Sequence, residues 1–244
     1  YLAKQGYFSK PRVDHVIIPE PLNVDRVCLG HRGVWWAEIE THGRIAHGSM
    51  PFLGDSAIRH MSAVLERFEH DLYPHLATKR TEMPVAPEGA RQSTMNINSI
   101  HGGLGEDFDG WPSAVVADSC RVVLDRRYLI EESYDEVRGE VVELLEKLKR
   151  DRKDFRYDLK ELWSVPPTMT DKDAAVVRAV ASEIETVLGT PADYVISPGT
   201  YDQKHVARFG HLHDCIAYGP GILDLPHQPD EYVGLDDLVA SAQV

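Results

Sequence analysis

The sequence predicts an α/β fold: one α/β domain in two pieces, interrupted by a compact ferredoxin-like insert of order β-α-β-β-α-β. Three observations lead there. Short apolar runs near both ends read as buried parallel strands. Between them, alternating segments and helical-period segments follow one another in split-βαβ order. The pattern changes at Gly33 and again at Asp171, so the pieces are read as 1–31, 32–165 and 166–244.

The run Asp14 to Pro19 (DHVIIP) is the first strand, and Glu20-Pro21 ends it, because proline biases its predecessor toward extended backbone. Val34 to Thr41 (VWWAEIET) alternates in part and opens the insert. Asp55 or Ser56 caps a helix expected to run through Leu72, with Ile58, Met61, Val64, Leu65 and Phe68 at helical spacing. Ser93 to Ile100 and Ser119 to Leu129 are strands. Ser133 caps a second helix with Val137, Val141, Leu144, Leu145 and Leu148 on its apolar face, and Tyr157 to Val165 is the last strand of the insert. Leu104 to Pro112 reads as extra loop. Beyond the insert, Asp173 to Leu188 is helical, Tyr194-Val195-Ile196 and Cys215 to Tyr218 are short buried strands, and a helix from about Asp202 to Phe209 lies between them. Asp236 to Val244 starts a final helix.

Bulk properties exclude several classes. At 244 residues, 43% hydrophobic and 27% charged, the chain is ordinary for a globular protein. A net charge of −13 and the lack of a basic patch argue against nucleic-acid and membrane-surface partners. No apolar run approaches spanning length. The three cysteines, Cys28, Cys120 and Cys215, are far apart and form no CxxC pair, so buried reduced thiols in a cytoplasmic protein are expected. No Gly-x-Ser-x-Gly or Ser-x-x-Lys string supports a serine hydrolase. Gly30, Gly33, Gly102 and Gly103 read as turn glycines without a phosphate-binding context.

Candidate functional residues cluster at strand ends. Glu20 closes the first strand, and ligands of open α/β sheets collect at the carboxyl ends of strands. Gly219-Pro220-Gly221 marks a turn, and Pro226 precedes His227 on a rigid approach suited to a metal ligand. His47 sits in the loop GRIAHGSMP, Gly43 to Pro51. Asp125-Arg126-Arg127 lies on a strand, with Arg127 on one face and Arg126 expected to be solvated on the other. Gly199-Thr200-Tyr201-Asp202 forms a turn before a helix, where backbone N–H groups and a hydroxyl suit a carboxylate.

Together, the GPG…HQPDEYV stretch and the His47 loop resemble the amidohydrolase family of acetylornithine deacetylase, succinyl-diaminopimelate desuccinylase, aminoacylase and carboxypeptidase G. The resemblance covers about Asp14 to Asp237. It implies a zinc-peptidase-like catalytic domain interrupted by a dimerisation domain, a homodimer, and hydrolysis of an N-acyl amino acid or small peptide-like amide by metal-activated water. It implies two zinc ions per complete subunit, with cobalt or manganese also suited to such ligands. Glu20 and His227 would bind different metals. His47 would reach the partner's active site and stabilise the oxyanion. Arg127, Gly199 and Thr200 would bind the substrate carboxylate.

The sequence departs from the family in several places. The family's upstream His-x-Asp, bridging Asp and Glu-Glu motifs have no counterpart before Glu20, and Glu131-Glu132 is rejected as the catalytic pair because it lies in the insert. The chain is therefore expected to be a fragment, inactive by itself. Tyr201 replaces a serine, and Ala114 stands where an asparagine assists substrate binding. The rival reading is a non-catalytic dimerisation or small-molecule-binding protein of the same fold. A cysteine hydrolase has no motif to support it.

Overall fold

The computed structural model describes residues 1–85, 87–103, 114–223, 225 and 228–244. In chain order the elements are β1 (Val16–Ile18), β2 (Arg26–His31), β3 (Gly33–His42), α1 (Ala57–Arg67), α2 (Tyr73–Thr78), β4 (Thr94–Gly102), β5 (Ser119–Tyr128), α3 (Tyr134–Asp151), β6 (Arg156–Val165), β7 (Thr168–Met169), α4 (Ala175–Leu188), β8 (Asp193–Ser197), α5 (Gln203–Gly210), β9 (Cys215–Ala217) and α6 (Leu235–Gln243).

Two sheets organise them. The central sheet has the order β4-β5-β3-β6, with every neighbouring pair antiparallel. With α1 and α3 in sequence between its strands, this is the split βαβ arrangement that the alternation of periods predicts. One face carries Trp35, Ala37, Ile39, Val122 and Leu124 against Met61 and Val64 of α1 and Val137, Val141 and Leu145 of α3. Each fully buried aliphatic side chain there contributes about 1.5–3 kcal/mol. Ser133 begins α3 with a capping box, its hydroxyl accepting from the Glu136 amide while Glu136 reaches back to the Ser133 amide.

The second sheet is built from the flanking segments. β1 runs parallel to β9 and β2 parallel to β8, while β7 pairs antiparallel with β2. Val27 and Leu29 of β2 pack with Ile216 and with Val176, Val177, Val180 and Ile184 of α4.

The structure corrects several expectations. β2 is a full strand that a short glycine-containing stretch concealed. Gly30 and Gly33 lie in or at the start of strands rather than in turns: a Cβ on Gly30 would meet the Thr168–Met169 backbone, and one on Gly33 would meet the Tyr128 ring. β1 is an edge strand, and Ile17 is half exposed rather than buried. The first insert helix continues past Leu72. A π-helical stretch, Phe68–Leu72, bonds the Tyr73 amide to the Phe68 carbonyl, and this places Pro74 in the first turn of α2, where its missing N–H is tolerated. Ile58 is half exposed on α1.

Arg126 is the largest correction. It is fully buried, not solvated. The alternation along β5 is as expected, but Arg126 falls on the helix-covered face with Val122, Leu124 and Tyr128. There it donates to Glu132 at 2.8 Å and Glu140 at 3.1 Å, and Lys79 also pairs with both carboxylates. Burial would raise the Glu132 carboxyl, but Arg126, the Leu129 amide, Ser93 and Lys79 hold it below the usual range.

Candidate active site

The site grows from the carboxyl ends of the parallel pair β1 and β9. The Tyr218 amide donates to the Ile18 carbonyl at 3.0 Å, and the Asn23 amide to the Gly221 carbonyl at 2.9 Å. The two turns that follow these strands are therefore laced together. A Cβ on Gly219 would lie 2.7 Å from the Glu20 carbonyl oxygen, so the backbones touch where only glycine fits. Gly221 has φ of 110°, a second position that favours glycine. The turn leading toward residue 227 thus packs directly on Glu20. His227 itself, and the loop read at Leu104 to Pro112, lie outside the described residues.

Burial raises the Glu20 carboxyl above its ordinary value. Asp202 raises it further, and Lys204 opposes both. Lys204 is in turn lowered by burial, and Asp202 and Glu20 favour its charged form. Glu20, Asp202 and Lys204 therefore form one partly desolvated charge cluster at the head of α5. Nothing in the helical periodicity of α5 distinguishes Lys204 from a solvated lysine, and sequence reasoning missed it.

Gly199 and Thr200 follow β8. The Gly199 amide donates to Ser197 Oγ at 3.2 Å, so this N–H is engaged within its own turn. Tyr201 is buried, its hydroxyl directed at Cys28 Sγ at 3.6 Å and its ring edge-on to His31. The sequence-level departure from serine to tyrosine is thus a core contact. Arg32, also missed by the sequence reading, ties the turn to the insert: its Nε donates to the Pro198 carbonyl at 3.0 Å and its guanidinium also to the Gln92 carbonyl at 3.1 Å. Burial lowers Arg32 to about 10, and Arg127 is the next contributor in the same direction. Arg127 therefore stands at this end of the site. Its Nε and one terminal nitrogen fork onto Asp125 at 2.6 and 3.0 Å, and the other terminal nitrogen has no partner among the described residues.

His31 lies behind these groups with no exposure. Its Nδ1–H donates to the Arg32 carbonyl at 2.9 Å, and Nε2 has no hydrogen-bond partner among the described residues. Burial lowers it to about 4.

His47 stands elsewhere. Its loop is pinned by paired bonds between Arg44 and Asp55, and by bonds from Gly48 to the Ala114 carbonyl and from Val116 to the Ala46 carbonyl. A Cβ on Gly48 would lie 3.0 Å from that Ala114 oxygen. The ring is exposed, and Nδ1 faces the Ser49 amide at 3.1 Å and the Ser49 hydroxyl at 2.7 Å. The loop follows the His42 end of β3, whereas Val34 at the other end pairs with Arg127. At about 3.3 Å per residue, the strand puts roughly 26 Å between the Arg127 position and His42, and the His47 loop follows His42. Glu20, Gly199, Thr200 and Arg127 are brought to one end of the subunit, and His47 is not.

A catalytic zinc keeps about three protein ligands. Among the described residues no three His, Cys, Asp or Glu side chains are grouped to hold a metal. Glu20 and Asp202 bring two carboxylates to the cluster with Lys204, short of three ligands, so the described residues do not by themselves fit a zinc centre. No helix among them is long and apolar enough to cross a membrane.

A profile described as the peptidase dimerisation domain matches residues 29–153, just over half of the chain. The chain belongs to the M20 peptidase family. Among its M20 relatives, the acetylornithine deacetylase of Myxococcus xanthus is 28% identical over 228 residues, covering 93% of this chain and 55% of that protein. A succinyl-diaminopimelate desuccinylase of Marinobacter nauticus is 25% identical over 237 residues, covering 96% and 56% respectively. The chain thus spans about half the length of the curated relatives it matches. In fold it is similar to human carnosine dipeptidase 1, with a TM-score of 0.72 at 16% identity over 99% of this chain and 60% of that one. It is also similar to the M20 family metallo-carboxypeptidase Sso-CP2 of Sulfolobus solfataricus, with a TM-score of 0.70 at 16% identity over 100% and 64%.

Proposed function

We propose that this chain carries half of the working parts of a metal-dependent amidohydrolase that removes the acyl group from an N-acyl amino acid or cleaves a small peptide-like amide. In this reading 1–31 and 166–244 belong to the catalytic domain and 32–165 to the dimerisation domain. Glu20 and His227 would each provide one ligand to a zinc centre completed by residues outside this sequence, and such a centre would supply an activated water. Arg127, through its free edge, and the Gly199-Thr200 turn hold the substrate carboxylate. His47 donates to the carbonyl oxygen of the scissile amide as it gains charge.

The observation that carries this reading is the register of β3, which pairs Val34 with Arg127 at one end and leads into the His47 loop at the other, roughly 26 Å of strand away. A hydrogen bond to the substrate held at the Arg127 end is out of reach within one subunit. It requires a second copy, which a dimerisation domain supplies. The surface for that contact is the outer edge of β4 with the adjoining face of α1. β4 ends the sheet, so one side of its backbone has no strand neighbour among the described residues, and Ile58 and Ile100 beside it are 47% and 50% exposed.

The test is metal analysis and an acyl-amino-acid hydrolysis panel on the protein with its native flanking sequence. We expect hydrolysis that a chelator abolishes, and loss of about one metal equivalent in Glu20→Gln. A protein that binds no metal and cleaves none of the amides would favour the non-catalytic binding reading. The lack of a three-ligand cluster among the described residues is the observation on that reading's side.

A further inference from the structure

We propose that Ser49 is a positioning residue that holds His47 as the neutral tautomer protonated at Nε2, so that the ring presents a donor and not a base to its ligand. The inference rests on the reading above in one respect, that the ligand is an amide carbonyl. The assignment of the ring follows from geometry. The Ser49 amide lies 3.1 Å from His47 Nδ1, and an amide N–H can only donate. Nδ1 must therefore offer its lone pair. The Ser49 hydroxyl, 2.7 Å from the same nitrogen, adds a second donor. With Nδ1 engaged as an acceptor, the ring proton resides on Nε2, on the far side of the ring.

The loop keeps this arrangement in place. The Met50 amide closes a turn onto the His47 carbonyl at 2.8 Å, and this turn carries Ser49 back over the ring. The isolated bridge between His47 and Val115 fixes the backbone on the other side. Serine reaches a side-chain acceptor two residues back with little conformational cost, and threonine shares that geometry. Alanine keeps the amide and loses the hydroxyl.

The two roles open to His47 thus separate. A ring with a lone pair at its outer nitrogen could take a proton from water. A ring with Nε2–H outward can only donate, as stabilisation of an oxyanion requires.

Nitrogen-15 spectra of the histidine-labelled 244-residue chain, with His47 assigned by the His47→Gln difference, read the tautomer directly. At about pH 8.5, above the imidazole range, we expect one dominant Nε2–H tautomer. The Nδ1–H fraction should rise about fivefold in Ser49→Ala, as expected for loss of one exposed hydrogen bond, and return to the parent value in Ser49→Thr. Comparable tautomers in the parent chain, or an unchanged ring in Ser49→Ala, would overturn the proposal. In the protein with its flanking sequence, Ser49→Ala should lower kcat about three- to tenfold with KM within about twofold, and cost nothing further on top of His47→Ala. A fixed Nε2–H ring beside full turnover in His47→Ala would overturn the oxyanion role while upholding the hold of Ser49 on the ring.

Discussion

Replacing His31 should flatten the acid limb of the stability curve. The side chain has no exposure, its Nδ1–H is bound to the Arg32 carbonyl, and its Nε2 faces no donor among the described residues. Protonation would place a charge in that setting, and burial lowers the group from 6.5 to about 4. The unfolded chain therefore binds a proton near pH 6.5, while the folded chain does so only near pH 4. Between these values the unfolded state holds more protons, so stability falls as pH falls, and it is fully restored above about 6.5. At 1.36 kcal/mol per unit, the loss from pH 7.5 to pH 4.5 is about 2.5 kcal/mol. For a chain of this size that is roughly 5–10 °C in Tm. His31→Asn keeps an N–H near the Arg32 carbonyl and removes the titration. Urea unfolding of both proteins across that range isolates the term, because carboxylates such as Glu132 contribute to both curves and largely cancel in the difference. We expect the gap between the curves to change by about 2.5 kcal/mol over the range, to the disadvantage of the parent chain in acid. Parallel curves would refute the placement of His31 as a neutral buried ring.

Other predictions follow from the same packing. Arg126→Leu leaves Glu132 and Glu140 without their buried partner and should cost about 3–5 kcal/mol in denaturant titration. An unaffected midpoint would mean the network is dispensable. Ser133→Ala removes the capping box of α3 and should cost about 1 kcal/mol, measured the same way. Ile58→Glu with Ile100→Glu should convert a dimer into a monomer in light scattering, and persistence of the dimer would move the interface off the β4 edge.

Most of the fold is legible in the residues because period and capping agree with it. The alternation in VWWAEIET, the Ser133 cap and the helical spacing of Val137, Val141 and Leu145 each answer to one local rule, and the β4-β5-β3-β6 sheet follows from their order. What was hidden depended on tertiary neighbours. Arg126 looks solvated until Glu132, in the turn before α3, and Glu140, on α3, close over it. β2 is a strand because β7, β8 and β9 surround it, and its Gly30 is there for close approach, not for turning. Among the candidate residues, the strand-end position of Glu20 and the glycine-flanked loop of His47 are legible in the sequence. The burial that raises the Glu20 carboxyl, the opposed charges of Asp202 and Lys204 beside it, and the anchoring of the Pro198 turn by Arg32 had no sequence signal. They arise from elements at least 166 residues apart in sequence meeting at the carboxyl ends of parallel strands.

In the proposed dimer, the Arg127 end of one subunit and His47 of another make one site. Subunit complementation tests it most directly. In the protein with its flanking sequence, Glu20→Gln and His47→Ala should each be nearly inactive alone. Mixed and allowed to exchange, half of the dimers pair the two variants, and each such dimer holds one intact site of two. Recovery of about a quarter of parental activity is the result expected for a two-fold dimer. Mixtures no more active than the separate variants would place His47 outside the partner's site and contradict the account.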